Sequence, residues 1–409
     1  MSAIHGQTYR GTPQNSLTCE GGSPIFTPYS RGFHLYERLA RETMKVLHVL
    51  DSLSRGGAEM QVLDVCRNAA KFGIDVTFAT FQSGAMEADF ITSGADFIRL
   101  KRRFPLDVPL VLRLRRLIKA RHIEIVHCYQ AVEALHLHLA SQGLKKVKKV
   151  LSFQGFVQDG KSRLALKYLI PRMDANIAVS HGLLRWHREV DHFDTKDFHV
   201  IYNGADAKRL VPTGKALRDE LHLDHDTLLI GMIGNFYSAE RKDQMTLVKS
   251  LPRVFAEIPN VHCIFAGKTE AGAEDKFSDC VNFCVENRIS RRVHFLGARS
   301  DVPDVLAALD IFVLSSLHEG LPVAVSEAML AKVPMIVSDI EPLLEASDHG
   351  KYAEVFEVKN VPMLSEKIMK LLEDKLFRED LARRALQFAE VNFSIEAHLR
   401  SLKKLYESL

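Results

Sequence analysis

The chain has 409 residues, 46% of them hydrophobic and 26% charged, with a formal net charge of +3. A chain of this length normally divides between two cores, and so small a net charge leaves no electrostatic footprint for nucleic acid. No apolar run approaches the roughly 18 residues that a membrane-spanning helix needs.

The elements in chain order begin with a segment of different character. Sixteen of the first 32 residues are Gly, Pro, Ser or Thr, and no helical or strand period is sustained. This predicts a disordered extension over residues 1–43 that lacks the apolar core of a secretion signal. A buried-strand pattern starts at Met44. Strands are predicted at Val46–Leu50, Val76–Phe81, Phe97–Leu100, Ile123–Cys128, Val150–Phe153, Asn176–Val179 and His199–Tyr202. Helix-like stretches between them include Ala58–Phe72, Val108–Arg121 and Ala131–Ser141. After the polar interval Asn203–Thr227 the alternation restarts, with strands at Leu228–Ile233, His262–Ala266, Val293–Leu296, Ile311–Leu314 and Met335–Val337. Near-continuous apolar strands alternating with helices predict parallel, doubly wound sheets. The expected α/β architecture is therefore two Rossmann-like domains facing each other across a cleft, over residues 44–208 and 209–390. Residues 391–409 follow as an amphipathic helix across the domain interface.

The most informative segment is Leu317–Met329, in which Glu319 and Glu327 bracket a Gly320-Leu321-Pro322 turn. It follows the apolar run Ile311–Leu314 and opens an alanine-rich helix. Such a turn brings backbone N–H groups and a positive dipole end beside carboxylates, which suits a ligand carrying both phosphate and hydroxyl groups. Gly56 and Gly57, between the first strand and its helix, allow similarly close backbone approach.

These pieces occur in a fixed order with Val200–Asp206, Phe265-Ala266-Gly267 and Val293–Gly297. Together they resemble retaining glycosyltransferases of the GT-B fold, family 4, over nearly everything after Met44. The resemblance implies transfer of a sugar from a nucleoside-diphosphate-sugar, a co-substrate rather than a cofactor, to a hydroxyl of a glycan or lipid-linked acceptor, with no bound metal. It implies that Glu327 accepts hydrogen bonds from the donor ribose and that Glu319 faces the donor sugar. Gly320, Leu321 and Val323 would offer backbone N–H groups to the diphosphate, and Gly56 and Gly57 would reach it from the other domain. Gly267 and Arg299 would surround the base. Lys242 matches the lysine that stabilises the departing diphosphate.

Two positions depart from the family pattern. Asn235 stands where the family has an arginine, and Arg241 either substitutes for that cation or faces solvent. Gln154 stands where a histidine near the transferred sugar is usual, and an amide cannot titrate there. These departures keep open a catalytically silent nucleotide-sugar-binding relative, and a nucleotide-sugar epimerase of the same architecture is the other alternative.

His127 and Tyr129, at a strand end, are expected to contact the acceptor. The pair His136 and His138 and the sequence Asp224-His225-Asp226 are read as non-metal features. Of the six cysteines (Cys19, Cys66, Cys128, Cys263, Cys280, Cys284), none forms a C-x-x-C pair. Cys280 and Cys284 are read as small buried residues of a reduced, cytoplasmic protein. The basic segment Arg113–Arg121, with Lys145, Lys146, Lys148 and Lys149, is either a solvated face or a peripheral contact with anionic lipid at the inner face of the plasma membrane.

Overall fold

The computed structural model describes residues 43–157 and 159–409. The expected extension over residues 1–43 lies, apart from Thr43, outside the described residues. A first sheet contains β1 (Met44–Leu50), β2 (Ile74–Thr80), β3 (Asp96–Arg99), β4 (Ile125–Cys128), β5 (Lys148–Phe153), β6 (Ala175–Ala178) and β7 (Phe198–Val200). Its order is β3-β2-β1-β4-β5-β6-β7, and all its pairings are parallel. Six helices accompany it: α1 (Gly57–Asn68), α2 (Glu87–Ile91), α3 (Val108–Ala120), α4 (Ala131–Ala140), α5 (Gly160–Leu169) and α6 (His181–Glu189).

A connection containing a 3-10 turn (Ala207–Leu210) and the short α7 (Leu217–Glu220) leads to the second sheet. That sheet holds β8 (Leu228–Ile233), β9 (Val261–Ala266), β10 (Val293–Gly297), β11 (Ile311–Leu314), β12 (Met335–Ser338) and β13 (Glu354–Phe356). Its order is β10-β9-β8-β11-β12-β13, again wholly parallel. Its helices are α8 (Gln244–Glu257), α9 (Glu274–Glu286), α10 (Val302–Ala308), α11 (Val323–Leu330), α12 (Glu341–Ala346), α13 (Val361–Glu373) and α14 (Lys375–Asn392). The two-sheet α/β expectation is met, with β13 added. That edge strand is only three residues long and carries Glu354, which binds Lys367 and Lys370 at 2.6 Å each.

In both sheets the strand order reverses beside the first strand, between β1 and β4 and between β8 and β11. The loops leaving the carboxyl ends of those strands diverge there and open a crevice. Residues 51–56, Tyr129–Gln130, Gly234–Lys242 and Ser315–Pro322 all come from these four strand ends.

The last helix, α15 (Ile395–Ser408), does not stay with the second sheet. Ser394 caps it by accepting from the Ala397 N–H, and the chain there pairs with Ala205, whose N–H donates to Phe393 at 2.9 Å. Its apolar face (Ile395, Leu399, Leu402, Leu405, Tyr406) is buried in the core of the first sheet beside Val46, Leu50 and Ile177.

Under α15 lies a buried polar cluster. The His127 ring nitrogens meet Tyr406 Oη at 2.5 Å and Ser152 Oγ at 2.6 Å, and His48 Nδ1 meets Tyr129 Oη at 2.7 Å. Burial, then the neighbouring His398, holds His48 down at about 3, and burial likewise depresses His127 and His398. A histidine whose folded pKa lies below its unfolded value adds no slope above pH ~6.5 and costs stability as the pH falls below it, because only the unfolded chain then takes the proton. Glu133 acts oppositely, since burial raises its carboxyl to about 8. Glu133 is present in any variant of the cluster, so its contribution cancels in a comparison. Replacing His127 with Asn should therefore flatten the fall in unfolding free energy between pH 6.5 and 5 by about 1.4 kcal/mol per pH unit. Denaturant titrations at several pH values check this, and an unchanged slope would mean that the ring takes up its proton while folded.

Candidate active site

The crevice between the sheets has a volume of about 940 Å³. Two helix starts meet across it. α1 begins at Gly57, and a Cβ there would lie 3.6 Å from Cγ2 of Val323, the first residue of α11. The Gly320-Leu321 turn is fastened from the opposite side, where Ser180 Oγ donates to the Gly320 carbonyl at 2.8 Å and Asn203 Nδ2 donates to that of Leu321 at 3.1 Å. Gly320 itself has no room for a side chain, since a Cβ would sit 2.5 Å from the Gln154 carbonyl oxygen. With the carbonyls of Gly320 and Leu321 turned to these donors, the positive end of α11 lies at the crevice wall.

Lys242 and Glu319 meet at the floor. Lys242 immediately precedes the α8 cap Asp243, whose carboxylate accepts from Thr246 N at 3.1 Å and Thr246 Oγ1 at 2.6 Å. Its backbone bridges to Ser316, while Asp243 N donates to the Ser315 carbonyl at 3.0 Å. So fixed, Lys242 Nζ reaches Glu319 Oε1 at 2.5 Å, and Ser316 Oγ donates to the same oxygen at 2.8 Å. The two side chains are only 10% and 13% exposed, so the pair is shielded from bulk water.

Glu327 lies one turn into α11, also at the crevice wall. Its Oε1 is 2.7 Å from Nη2 of Arg209, from the 3-10 turn in the connection. Arg209 Nε in turn lies 2.8 and 2.9 Å from the two oxygens of Asp64 on α1. Burial raises Asp64 against the pull of Arg209. Burial also works against the Arg209 charge, but the Glu327 and Asp64 carboxylates outweigh it and raise the guanidinium above its ordinary value.

Gly56, Gly57, Gln154, Asn235, Gly267, Arg299, Arg241 and Tyr129 also line the crevice. The Gln154 carboxamide oxygen is buried there with no hydrogen-bond partner. Asn235 shapes a turn, its Oδ1 accepting from Lys268 N at 3.1 Å, so it does not supply the charge of an arginine. Arg241 is half-buried at the crevice, its guanidinium 5.1 Å from the Tyr237 ring centroid, instead of facing bulk solvent. Gly267 packs so closely on Gly234 that a Cβ would lie 2.3 Å from that carbonyl oxygen. The Arg299 guanidinium is held by Glu220 at 2.7 and 2.9 Å and by Asp301 at 2.9 and 2.7 Å.

The expectation for His127 is corrected. It is 2% exposed, does not line the crevice, and spends both ring nitrogens on Tyr406 and Ser152. The whole of β4 is buried, so a strand-end position did not bring its side chain to the opening. Cys280 and Cys284 are buried, and Asp224-His225-Asp226 is an exposed turn.

Residues the sequence reading missed are Arg209, Ser180, Asn203 and His318. His318 packs edge-on against Phe156 and Trp186 of the other sheet, at 5.5 and 5.4 Å between ring centroids. His318 adjoins Glu319 and could have been suspected, but the others act from more than a hundred residues away.

Two parallel sheets meeting at their switch points define a GT-B architecture. The comparisons agree with it. Residues 215–388 match the model described as Glycosyl transferases group 1, and residues 55–209 match that described as Glycosyltransferase Family 4. The chain belongs to this family of glycosyltransferases. It is similar to N-acetyl-alpha-D-glucosaminyl L-malate synthase of Bacillus anthracis, 24% identical over 347 residues, 78% of this chain and 88% of that protein. It is also similar to N,N'-diacetylbacillosaminyl-diphospho-undecaprenol alpha-1,3-N-acetylgalactosaminyltransferase of Campylobacter jejuni, 42% identical over 118 residues, 29% of this chain and 31% of that one. Among solved structures, Anabaena Alr3699/HepE in complex with UDP shares the fold with a TM-score of 0.78 and 20% identity, over 90% of this chain and 100% of that one. The epimerase alternative gains no support from these findings.

Because Gly320 touches the Gln154 backbone, Gly320→Ala should force the turn and its partner apart. A loss of about 1–3 kcal/mol in unfolding free energy is expected, the usual cost of overpacking. Chemical denaturation measures it, and an unshifted midpoint would contradict the close approach.

Proposed function

We propose that the protein is a retaining, metal-independent glycosyltransferase. It takes a sugar from a nucleoside-diphosphate-sugar and places it on a hydroxyl of a glycan or lipid-linked acceptor. The observation that carries this reading is the shielded Lys242–Glu319 pair, 2.5 Å apart, beside the start of α11 and opposite Gly56-Gly57.

The chemistry follows from charge. As the bond between the anomeric carbon and phosphate oxygen breaks, its electron pair passes to the diphosphate. Lys242, the N–H groups at the start of α11 and, more remotely, Arg241 are the groups that answer this growing charge. Glu319, released from Lys242 as the diphosphate takes over that cation, can accept from a sugar hydroxyl and favour positive charge at the anomeric carbon. The acceptor oxygen bonds to that carbon on the face the phosphate leaves, and its proton passes to the departing phosphate oxygen. Water is kept from this step by the closed walls at Gly320 and Gln154. The buried Gln154 amide oxygen, which lacks a partner, suits a hydroxyl donor of the transferred sugar.

Relatives support the substrate classes. The Campylobacter jejuni relative bears a diphospho-undecaprenol acceptor in its name, and the Anabaena neighbour was solved with UDP. A lipid-linked acceptor calls for a membrane surface. Phe104, Leu106, Val108 and Leu112, all at least half exposed, lie on the β3–α3 loop and on α3 with the exposed cations Lys101, Arg103, Arg116 and Lys119. The buried side of α3 is Leu110, Leu114 and Ile118, so its packing leaves Val108 and Leu112 outside. Arg115, Arg121, Lys148 and Lys149 are committed to contacts within the protein. The exposed apolar residues and cations together suit an anionic lipid surface.

Thermal-shift screening of UDP-, GDP-, ADP- and CDP-sugars should reveal one stabilising donor. With that donor, Lys242→Ala should lower turnover by about 10²–10³-fold, the scale of one lost electrostatic stabiliser, and wild-type rates would remove Lys242 from the mechanism. For the membrane contact, sedimentation with vesicles of anionic phospholipid should capture the wild type and not a Phe104→Asp, Leu112→Asp variant. Equal sedimentation of the two would refute it.

A further inference from the structure

Arg209 stands between two carboxylates of unlike situation. Glu327 lines the crevice, whereas Asp64 does not and is wholly buried. Asp64 is itself anchored, accepting from Asp206 N at 3.0 Å, and Asp206 is held by Asn68 Nδ2 at 2.9 Å. The guanidinium therefore has a fixed end, with Nε bound by both Asp64 oxygens, and a working end, with Nη2 at 2.7 Å from Glu327 Oε1.

We propose that Arg209 is a positioning residue that aims the Glu327 carboxylate at a ribose diol, and that Asp64 acts on the nucleotide only through it. The inference rests on the reading of Glu327 as the ribose ligand and deepens it. A carboxylate has about four lone-pair sites. Arg209 Nη2 lies 2.7 Å from Oε1 as an ion pair without a directed hydrogen bond, so it restrains the carboxylate while leaving its lone pairs for two hydroxyl donors. Without that anchor a glutamate has three free torsions, and ordering them on binding would weaken the contact.

The relay also crosses the crevice. Asp64 belongs to α1, whose first residue meets Val323, and Glu327 is on the helix that Val323 begins. A planar guanidinium can hold both Asp64 oxygens with Nε and face Glu327 with Nη2, whereas an ammonium cannot hold both in that geometry. If the network served only to stabilise the fold, a cation shared by two carboxylates would be a poor device, because the desolvated charges do not balance.

The test compares UDP with 2′,3′-dideoxy-UDP by calorimetry, with the matching GDP and ADP pairs run alongside. The wild type should prefer the hydroxylated member of the pair it binds. Asp64→Asn and Arg209→Lys should each cut that preference roughly 5–10-fold, the scale of one net hydrogen bond, while binding of the dideoxy nucleotide stays unchanged. Retained dideoxy binding also shows that each variant is folded. Adding Asp64→Asn to Glu327→Ala should change neither affinity. A wild-type preference that persists in both variants would overturn the relay, as would an equal loss for both nucleotides, the signature of a merely structural role. A wild type with no preference in any pair would overturn the reading of Glu327 itself, and the relay with it.

Discussion

The close approach of two backbones, at Gly320 and at Gln154, is the constraint on which the site depends. A methyl group at Gly320 would collide with the Gln154 carbonyl oxygen, so the turn before α11 lies directly on the loop after β5. Ser180 and Asn203 hold the same turn by its carbonyls. With its carbonyl oxygens satisfied there, the turn leaves its amide side to the crevice. The meeting of Gly57 with Val323 follows from the same apposition, as does the edge-on packing of His318 against Phe156 and Trp186. The two sheets thus form one site where main chains touch, and side chains such as Glu345, which accepts from His181 N and Gly182 N, and Arg185, paired with Glu341, span the gap beside them.

Within that frame the charges are arranged as exchangeable pairs. Lys242 faces Glu319, Arg299 faces Glu220 and Asp301, and Lys268 faces Glu270 at 3.0 Å. For the shielded Lys242 an unpaired charge would be costly, and Glu319 removes most of that cost. For the proposed donor, a diphosphate entering such a site would substitute one anion for another and meet cations that are already oriented. Arg209 is the exception, because its Asp64 partner is buried behind it and out of a ligand's reach.

The fold was legible because buried parallel strands write themselves as apolar runs. β8 and β11 have the predicted bounds, and most others differ by one or two residues. β13 escaped because three residues with a charged Glu354 carry no such run. Glu319, Glu327 and Lys242 were legible because strand, turn and helix start force neighbours in sequence to be neighbours at the crevice. His127 was misread because a strand end does not say which way a side chain points, and its ring is used by Tyr406, far along the sequence. Arg209 was invisible for the same reason, since its partners Asp64 and Glu327 are joined to it only by the fold.

In the proposed reaction this crevice breaks a donor's glycosidic bond and forms the new one on the same face. This can be tested without knowing the acceptor, by letting water take its place. Proton NMR of the sugar first released from the bound donor, read before mutarotation, reports its anomeric configuration. Same-face transfer releases the anomer present in the donor, and release of the opposite anomer would exclude it.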